Sequence, residues 1–217
     1  MHSCGVESTA RTCYFGPPLK PDLDNPDYWM KLVMKEIQEH CPGKRGCSSA
    51  EEGLTEPAPN IVECSAPKPL GLSDGTIADS QISASSSQPT FNAQEARLFV
   101  GDGWASESID TNPWIEVDLG ESTVVSGVVT EAYLYLTGIC QLVTKYRVAY
   151  QTQSSSDRVL VTDGKGNATL FKGNTECGNP VMNLFNGSVV ARVVRVEPVE
   201  WRTKVALKLE LLGCRHE

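Results

Sequence analysis

The residues of this chain best equipped for chemistry are its eight cysteines. They are Cys4, Cys13, Cys41, Cys47, Cys64, Cys140, Cys177 and Cys214. No two of them form a Cys-x-x-Cys pair, and the histidines, His2, His40 and His216, do not stand at metal-ligand spacing. Structural zinc sites normally use closely spaced cysteine or histidine pairs. An even number of cysteines without such pairs favours disulfide bonds, and therefore an oxidising compartment.

The sequence contains none of the common catalytic motifs. It has no Gly-x-Ser-x-Gly nucleophile motif, no His-Glu-x-x-His zinc motif and no glycine-rich phosphate loop. Glu107 could pair with Asp110 or Glu131 in the way that two carboxylates cleave a glycosidic bond. Because surface carboxylates are common, such a pair is weak evidence, and we predict that the protein is not an enzyme.

The charge of the chain limits its partners. There are 19 lysines and arginines against 27 aspartates and glutamates, which gives a formal net charge of −8. This balance disfavours nucleic acid, and it also disfavours attachment to anionic lipid by charge alone. The content of 21% charged and 40% hydrophobic residues is typical of a globular protein. No apolar run approaches the ~20 residues that a membrane-spanning helix needs.

Two Asn-x-Ser/Thr sequons, at Asn167 and Asn186, are candidate glycosylation sites. Both lie between strand-like runs, where a glycan would point into water. Met1 is not followed by the apolar core of a signal peptide, so if the protein is secreted, we expect its signal peptide to have been removed. Together with the cysteines, the sequons predict an extracellular protein.

The clearest strands lie in the middle of the chain. Between residues 114 and 119 polar and apolar side chains alternate, so a strand would bury one row of them. The apolar row is Ile115, Val117 and Leu119. Residues 124–129 are mostly β-branched, which indicates a second and more deeply buried strand. Gly120 separates the two segments, and we expect them to pair with each other in the core of a sandwich.

Residues 1–47 differ from the rest and predict a small disulfide-bonded unit with a helix at about residues 26–41. Asn25 as N-cap and Pro26 at the first helical position favour that start. The helix has one apolar face, formed by Met30, Val33, Met34, Ile37 and Cys41. The first four cysteines would brace this unit, and three connectivities are open. The acidic residues 48–63, with two prolines, predict a linker.

From residue 64 onward, short strands alternate with turns, as in an all-β sandwich or barrel. Four motifs follow one another here: Gly75-Thr-Ile-Ala-Asp-Ser-Gln-Ile-Ser-Ala, Trp114-Ile-Glu-Val-Asp-Leu-Gly120, Ala191-Arg-Val-Val-Arg-Val-Glu-Pro198 and Leu207-Lys-Leu-Glu-Leu-Leu-Gly-Cys214. In this order they resemble the discoidin family, the C domains of coagulation factors V and VIII. The resemblance covers residues 64–214 and leaves residues 1–63 unassigned.

The resemblance implies an all-β fold for residues 64–214, an antiparallel jelly-roll β-sandwich preceded by the small disulfide-rich unit with one helix. It also implies that Cys64 and Cys214 join the two ends of the domain. In the chain-entropy model, a bridge that closes so long a loop stabilises by roughly 5 kcal/mol. Cys140 and Cys177 remain in this domain, and we expect them to pair with each other.

Proteins of this family bind ligands through loops at one end of the sandwich, and the resemblance places those loops at residues 85–92, 100–112 and 131–142. The predicted ligand-binding residues are Gln88, Phe91, Trp104, Glu107, Asp110, Glu131, Tyr133, Leu134 and Tyr135. Residues 133–136 alternate Tyr-Leu-Tyr-Leu, which suits either a strand with one buried row or an amphipathic tip at a membrane, sugar or peptide.

The charges of these loops help to choose a ligand. They carry four acidic residues and no lysine or arginine, and Thr130-Glu131-Ala132 stands where family members often read Thr-Gln-Gly. An acidic rim with aromatic residues suits a glycan or a basic protein better than phosphatidylserine. No cofactor is predicted, although Asp102 and Asp110 offer oxygen ligands for calcium as an alternative.

The sequence therefore predicts a secreted, non-enzymatic recognition or adhesion protein. Its ligand would be a cell-surface or matrix glycan or protein, bound through the loops at one end. Two alternatives remain open: peripheral binding to a phospholipid membrane through the same loops, and a structural role in which the N-terminal unit contacts the partner. The oligomeric state does not follow from the sequence.

Overall fold

The computed structural model describes residues 64–134 and 138–215, and their regular secondary structure is mostly β-strand. Their strands are β1 Lys68–Pro69, β2 Ile82–Ala84, β3 Trp104–Ala105, β4 Ile115–Glu131, β5 Tyr133–Leu134, β6 Cys140–Gln151, β7 Val159–Leu160, β8 Phe171–Lys172, β9 Val181–Arg202 and β10 Ala206–Cys214. Two short 3-10 helices, Asp79–Gln81 and Ala93–Ala96, precede and follow β2. The predicted N-terminal unit, its helix at residues 26–41, its four cysteines and the linker lie outside the described residues.

The strands pair antiparallel in the order β1-β10-β4-β9-β6-β5. Four short strands lie outside this order. β2 pairs with β4, β3 pairs with β10, and both β7 and β8 pair with β6. The predicted all-β, antiparallel architecture is confirmed. In the described part of the chain, no helix is long and apolar enough to cross a membrane.

The longest strands, β4 and β9, pair with each other on both sides of Gly120. Gly120 has φ +79°, a conformation that favours glycine, and the register between β4 and β9 shifts there between Asp118 and Thr123. Gly120 therefore marks a register shift inside one continuous strand, and the prediction of two separate strands that pair with each other is wrong. Both segments pair with β9, the first also with β2 and the second with β10.

The buried face of each strand follows the residue pattern. Along the first part of β4, Ile115, Val117 and Leu119 are buried while the alternating residues are half-exposed. Every residue from 124 to 129 is buried, as their β-branched character predicts. The largest side chains of the core include Trp104, Tyr146, Phe171 and Phe185. The core therefore extends to β3, which joins the loops to the sandwich.

Two disulfides hold the sandwich at different places. Cys64–Cys214 spans 150 residues and joins the beginning of the domain to the end of β10, as expected. Cys140–Cys177 spans 37 residues and joins the start of β6 to the segment after β8. Both expected pairs are present, and the second one fixes the loop that was predicted to carry ligand contacts.

Candidate functional site

Six chain segments meet at one end of the sandwich, which we call the loop end. It comprises residues 85–92, 102–112, 131–134, 138–141, 173–180 and 203–205. Contacts between backbones hold the first two segments together. The Gln88 N–H donates to the Ala105 carbonyl at 2.9 Å, and the Ala105 N–H donates to the Phe91 carbonyl at 3.1 Å. The first two predicted loops therefore form one surface.

The remaining segments are attached to this surface by specific contacts. The Ser106 N–H donates to the Val205 carbonyl at 3.2 Å, which brings in the turn between β9 and β10. On the other side, the Asn174 side-chain amide donates to the Thr130 carbonyl at 3.1 Å. With the Cys140–Cys177 disulfide, these bonds collect segments from across the sequence at one end.

An aromatic pair joins the first and third predicted loops. The ring centroids of Phe91 and Tyr133 lie 5.0 Å apart with the planes tilted by 57°. Both residues are half-buried. Gly103, at φ +96°, lies beside the Tyr133 ring and the Lys208 side chain. The structure therefore brings together two of the predicted binding residues and adds Lys208.

Glu131 lies next to this pair at the end of β4. It faces Lys208 on β10 as its cross-strand partner, and it is buried, with 9% of its surface exposed. Burial raises the pKa of the Glu131 carboxyl, and the positive charge of Lys208 opposes that rise. Among the described residues, none donates a hydrogen bond to this carboxylate. The loop end thus holds a poorly solvated carboxylate with unused acceptor capacity.

Asp110 has the opposite environment. Its carboxylate accepts hydrogen bonds from the hydroxyls of Ser85 at 2.5 Å and Ser86 at 2.6 Å, and from the Asn112 N–H at 3.0 Å. Burial alone would raise the pKa of Asp110, but these hydrogen bonds outweigh burial and lower that pKa. Asp110 therefore closes the second loop onto the first, and little of its acceptor capacity is left for a ligand.

Other predicted site residues also have a structural role. Trp104 has no exposed surface, and its indole N–H donates to the Ser86 carbonyl at 2.9 Å, so its prediction as a ligand contact is wrong. The Gln88 side chain donates to the Ser106 carbonyl at 2.9 Å and fastens the loops together. Glu107 is exposed. Leu134 belongs to β5, and Tyr135 lies outside the described residues.

The structure exposes apolar residues that the sequence interpretation missed. Ile109 on the second loop is 84% exposed, and Ile139 beside Cys140 is 49% exposed. Trp201, at the end of β9, is 44% exposed. The signal for Trp201 was the polar run Arg202-Thr203-Lys204 after it, which separates two apolar strands as a hairpin turn does.

The described residues show no group of three or more histidine, cysteine or acidic side chains that could hold a metal ion. Asp110, one of the two aspartates considered for calcium, already accepts three hydrogen bonds. Both candidate glycosylation residues are exposed, Asn167 in a hairpin and Asn186 within β9. The side-chain amide of Asn167 donates to Asp163 at 3.2 Å, and modification of both asparagines stays a prediction.

Comparison with known proteins shows the family to which this chain belongs. Residues 81–211 match the model of the F5/8 type C domain. The chain belongs to the F5/8 type C, or discoidin, domain family. Retinoschisin from Mus musculus is 32% identical over 166 residues, which cover 71% of each chain. Lactadherin from Mus musculus is 36% identical over 182 residues, which are 78% of this chain and 37% of that protein.

A solved structure supports the fold independently. Discoidin II from Dictyostelium discoideum superimposes with a TM-score of 0.54 at 18% identity, covering 63% of this chain and 55% of that one. At this identity the likeness concerns the fold alone. Membership of the discoidin family and the two disulfides support an extracellular binding or adhesion role.

Proposed function

We propose that this discoidin-family protein recognises a glycan of the cell surface or matrix through its loop end. The observation that carries the proposal is the Phe91–Tyr133 pair, which lies beside the buried Glu131 and the cation of Lys208. Aromatic side chains with a few convergent polar groups are typical of sites for small ligands.

The chemistry of these residues suits a sugar. The apolar face of a pyranose stacks on an aromatic ring, while its hydroxyls need both donors and acceptors. Glu131 supplies a carboxylate with unused acceptor capacity, and Lys208 supplies donors beside it. Because Glu131 is shielded from water, a hydroxyl that reaches it forms a stronger hydrogen bond than one at an open surface. Exposed Glu107 adds a further acceptor at the rim.

The protein binds this ligand without transforming it. Glycoside hydrolysis requires one protonated and one ionised carboxyl on either side of the scissile bond. Of the carboxylates considered for such a pair, Asp110 is committed to the hydroxyls of Ser85 and Ser86, so it is not available as the partner of Glu107. We infer that Glu131 accepts a hydrogen bond from the ligand and takes no part in a reaction.

One observation favours a second candidate, a phospholipid membrane. Ile109 and Ile139 project exposed apolar side chains from two loops at the same end. Apolar tips of this kind insert into the boundary between lipid headgroups and acyl chains. Glycan and membrane binding differ in the residues they require, since the first depends on the aromatic pair and the second on the two isoleucines.

Binding of the purified full chain to a glycan array, and to liposomes with and without phosphatidylserine, tests the proposal. We expect glycan binding to fall roughly tenfold, or by about 1.4 kcal/mol, in Phe91→Ala. The control Val190→Ser changes an exposed apolar residue on β9 outside the loop end and should bind normally. Repeating both assays with calcium and with a chelator tests the aspartates.

A separate double variant tests the membrane alternative. Liposome binding that is lost in Ile109→Ser with Ile139→Ser, and kept in Phe91→Ala, would replace the glycan proposal with the membrane one. Thermal unfolding of each variant shows whether its fold is intact, so that a loss of binding is not confused with a loss of structure.

A further inference from the structure

The turn between β9 and β10 has an unusual backbone. The Lys204 N–H donates to the Arg202 carbonyl at 2.9 Å across a single residue, Thr203, whose φ is +69°. A three-residue turn with positive φ at its centre is the rare, strained γ-turn. A β-branched residue is a poor choice for such a conformation, and strained residues of this kind concentrate at functional sites.

The side chains of this turn are accessible and basic. Trp201, Arg202, Thr203 and Lys204 are all exposed, and we call them the basic turn. In the described part of the chain, every other arginine forms an ion pair. These arginines are Arg97, Arg147, Arg158, Arg192, Arg195 and Arg215. Across the same residues, neither Arg202 nor Lys204 has an acidic partner, so both charges are available.

The basic turn belongs to the loop end. Val205 accepts the hydrogen bond from the Ser106 N–H, which places the turn beside the second loop. On its other side, Trp201 and Arg202 pair with Val143 and Leu142, close to the start of β6. The basic turn therefore stands on the same surface as the aromatic pair, and its charge is opposite in sign to that of the three predicted loops.

We propose that the basic turn binds an anionic group, a sulfate or a carboxylate, on the glycan that the loop end recognises. This inference rests on the proposed function and narrows its ligand to an acidic glycan. A guanidinium presents a planar pair of N–H donors that matches two oxygens of such a group, and the ammonium adds a point charge. The exposed indole of Trp201 offers an apolar face for the adjoining sugar ring.

The distribution of charge favours a discrete anion over an anionic membrane. Asp102 and Glu107 are exposed on the loop next to the basic turn. A flat layer of anionic headgroups that reached Arg202 and Lys204 would also meet these carboxylates, and the chain as a whole carries −8. A glycan bears its anionic groups at fixed positions, so one of them can contact the basic turn while neutral hydroxyls face the carboxylates.

The test compares matched ligands on the full chain. The probes are a heparin oligosaccharide for sulfate, a polysialic acid oligomer for carboxylate, a neutral galactose oligomer, and vesicles of phosphatidylcholine with phosphatidylserine. We expect one acidic glycan to bind at least tenfold more tightly than the neutral oligomer. The double variant R202Q/K204Q should lose this preference and retain the neutral binding. The control K68Q/K165Q removes the same charge from exposed lysines outside the loop end and should keep the preference.

The outcomes separate this inference from the proposed function. If the wild type binds acidic and neutral glycans equally, or if R202Q/K204Q keeps the preference, the basic turn is not an anion site while glycan recognition stands. If no glycan binds at all, both fall, and binding to the phosphatidylserine vesicles alone would assign the turn to a membrane. The Thr203→Gly variant, which relieves the strained φ, should fold at least as stably and keep the preference.

Discussion

Two buried glutamates on neighbouring strands, Glu210 and Glu131, have opposite surroundings. Glu210 has no exposed surface, and its carboxylate accepts N–H groups from Leu72 at 3.2 Å, Ser73 at 2.7 Å and Leu211 at 2.9 Å. Glu131 is almost as buried, yet no described residue donates a hydrogen bond to it. Burial raises the pKa of both carboxyls, but only Glu210 has backbone donors that oppose the rise.

The difference separates the structural part of the domain from its binding part. Glu210 fastens the segment before β2 onto β10, because Leu72 and Ser73 lie far from it in sequence. Arg97 assists by donating to the Leu72 carbonyl at 2.8 Å and pairing with Asp79. Glu131 accepts no hydrogen bond from a described residue, and only the charge of Lys208 offsets its burial, so burying this carboxylate costs stability. A cost of this kind is typical of residues kept for a ligand.

Of the substitutions at these carboxylates, Glu210→Ala is expected to change the free energy of unfolding most. Removing the carboxylate leaves the N–H groups of Leu72 and Ser73 without acceptors in a buried place, and we expect the free energy of unfolding to fall by roughly 3 kcal/mol. Urea unfolding of the full chain measures this. Ligand binding by the folded variant should be unchanged, because Glu210 lies beneath the surface.

Glu210→Gln serves as the control for side-chain size. Glutamine keeps one acceptor oxygen but turns an amide donor toward a backbone donor. The fall in the free energy of unfolding should therefore be smaller than in Glu210→Ala and still measurable. A change in unfolding free energy within error for both variants would show that the contacts of Glu210 do not hold the segment, and the contrast with Glu131 would disappear.

The free energy of unfolding is expected to change in the opposite direction in Glu131→Gln. A glutamine avoids the cost of burying a charge, so at neutral pH this variant should be more stable than the wild type by roughly 1 kcal/mol. The folded-state pKa of Glu131 is raised above the ordinary value of 4.5, so the folded protein binds the extra proton more tightly. The stability that protonation of Glu131 contributes is therefore fully present below the ordinary pKa and is lost as the pH rises through the raised pKa of the folded state.

Unfolding measured against pH checks this sign. The stability difference between Glu131→Gln and the wild type should vanish at acidic pH and grow as the pH rises. Glycan binding should weaken in the same variant, since the acceptor is lost. A variant that is less stable than the wild type at neutral pH would mean that Lys208 stabilises Glu131 more than burial penalises it.

Local patterns were sufficient to predict the strands but not the exposure of the loops. The alternation along β4 and the β-branched run after Gly120 determine which side chains are buried, because each strand needs one apolar face. The burial of Trp104 depends on the distant Ser86 carbonyl and on β10, and no local pattern carries that information.

The basic turn was missed for a related reason. The charge of a binding surface is the sum over all loops that meet there. The basic turn lies at the loop end because β9 pairs with β6, β10 pairs with β3, and the Ser106 N–H donates to Val205. Counting charges in three loops gave an acidic surface. The basic turn, which folding brings beside them, adds Arg202 and Lys204.

The smallest change in stability is expected for a substitution of Asp110. This carboxylate lies at the loop end, yet, like Glu210, it accepts three hydrogen bonds from the protein. Replacing it with Asn weakens its bonds to Ser85 and Ser86, and because the loop is partly solvated the loss should be only about 0.5–1 kcal/mol at neutral pH. The pKa of Asp110 is lowered below the ordinary value of 3.8, so the stability it contributes is present above that value and is lost as the pH falls through the lowered pKa.

The decline in stability on acidification should therefore be shallower in Asp110→Asn than in the wild type, which thermal unfolding over a series of acidic buffers measures. Asp102, on the same loop and exposed, provides the matched control, and Asp102→Asn should leave the decline unchanged. If Asp110→Asn abolishes glycan binding without altering stability, Asp110 belongs with Glu131 among the residues kept for the ligand, and being fully hydrogen-bonded would no longer distinguish a structural carboxylate from a binding one.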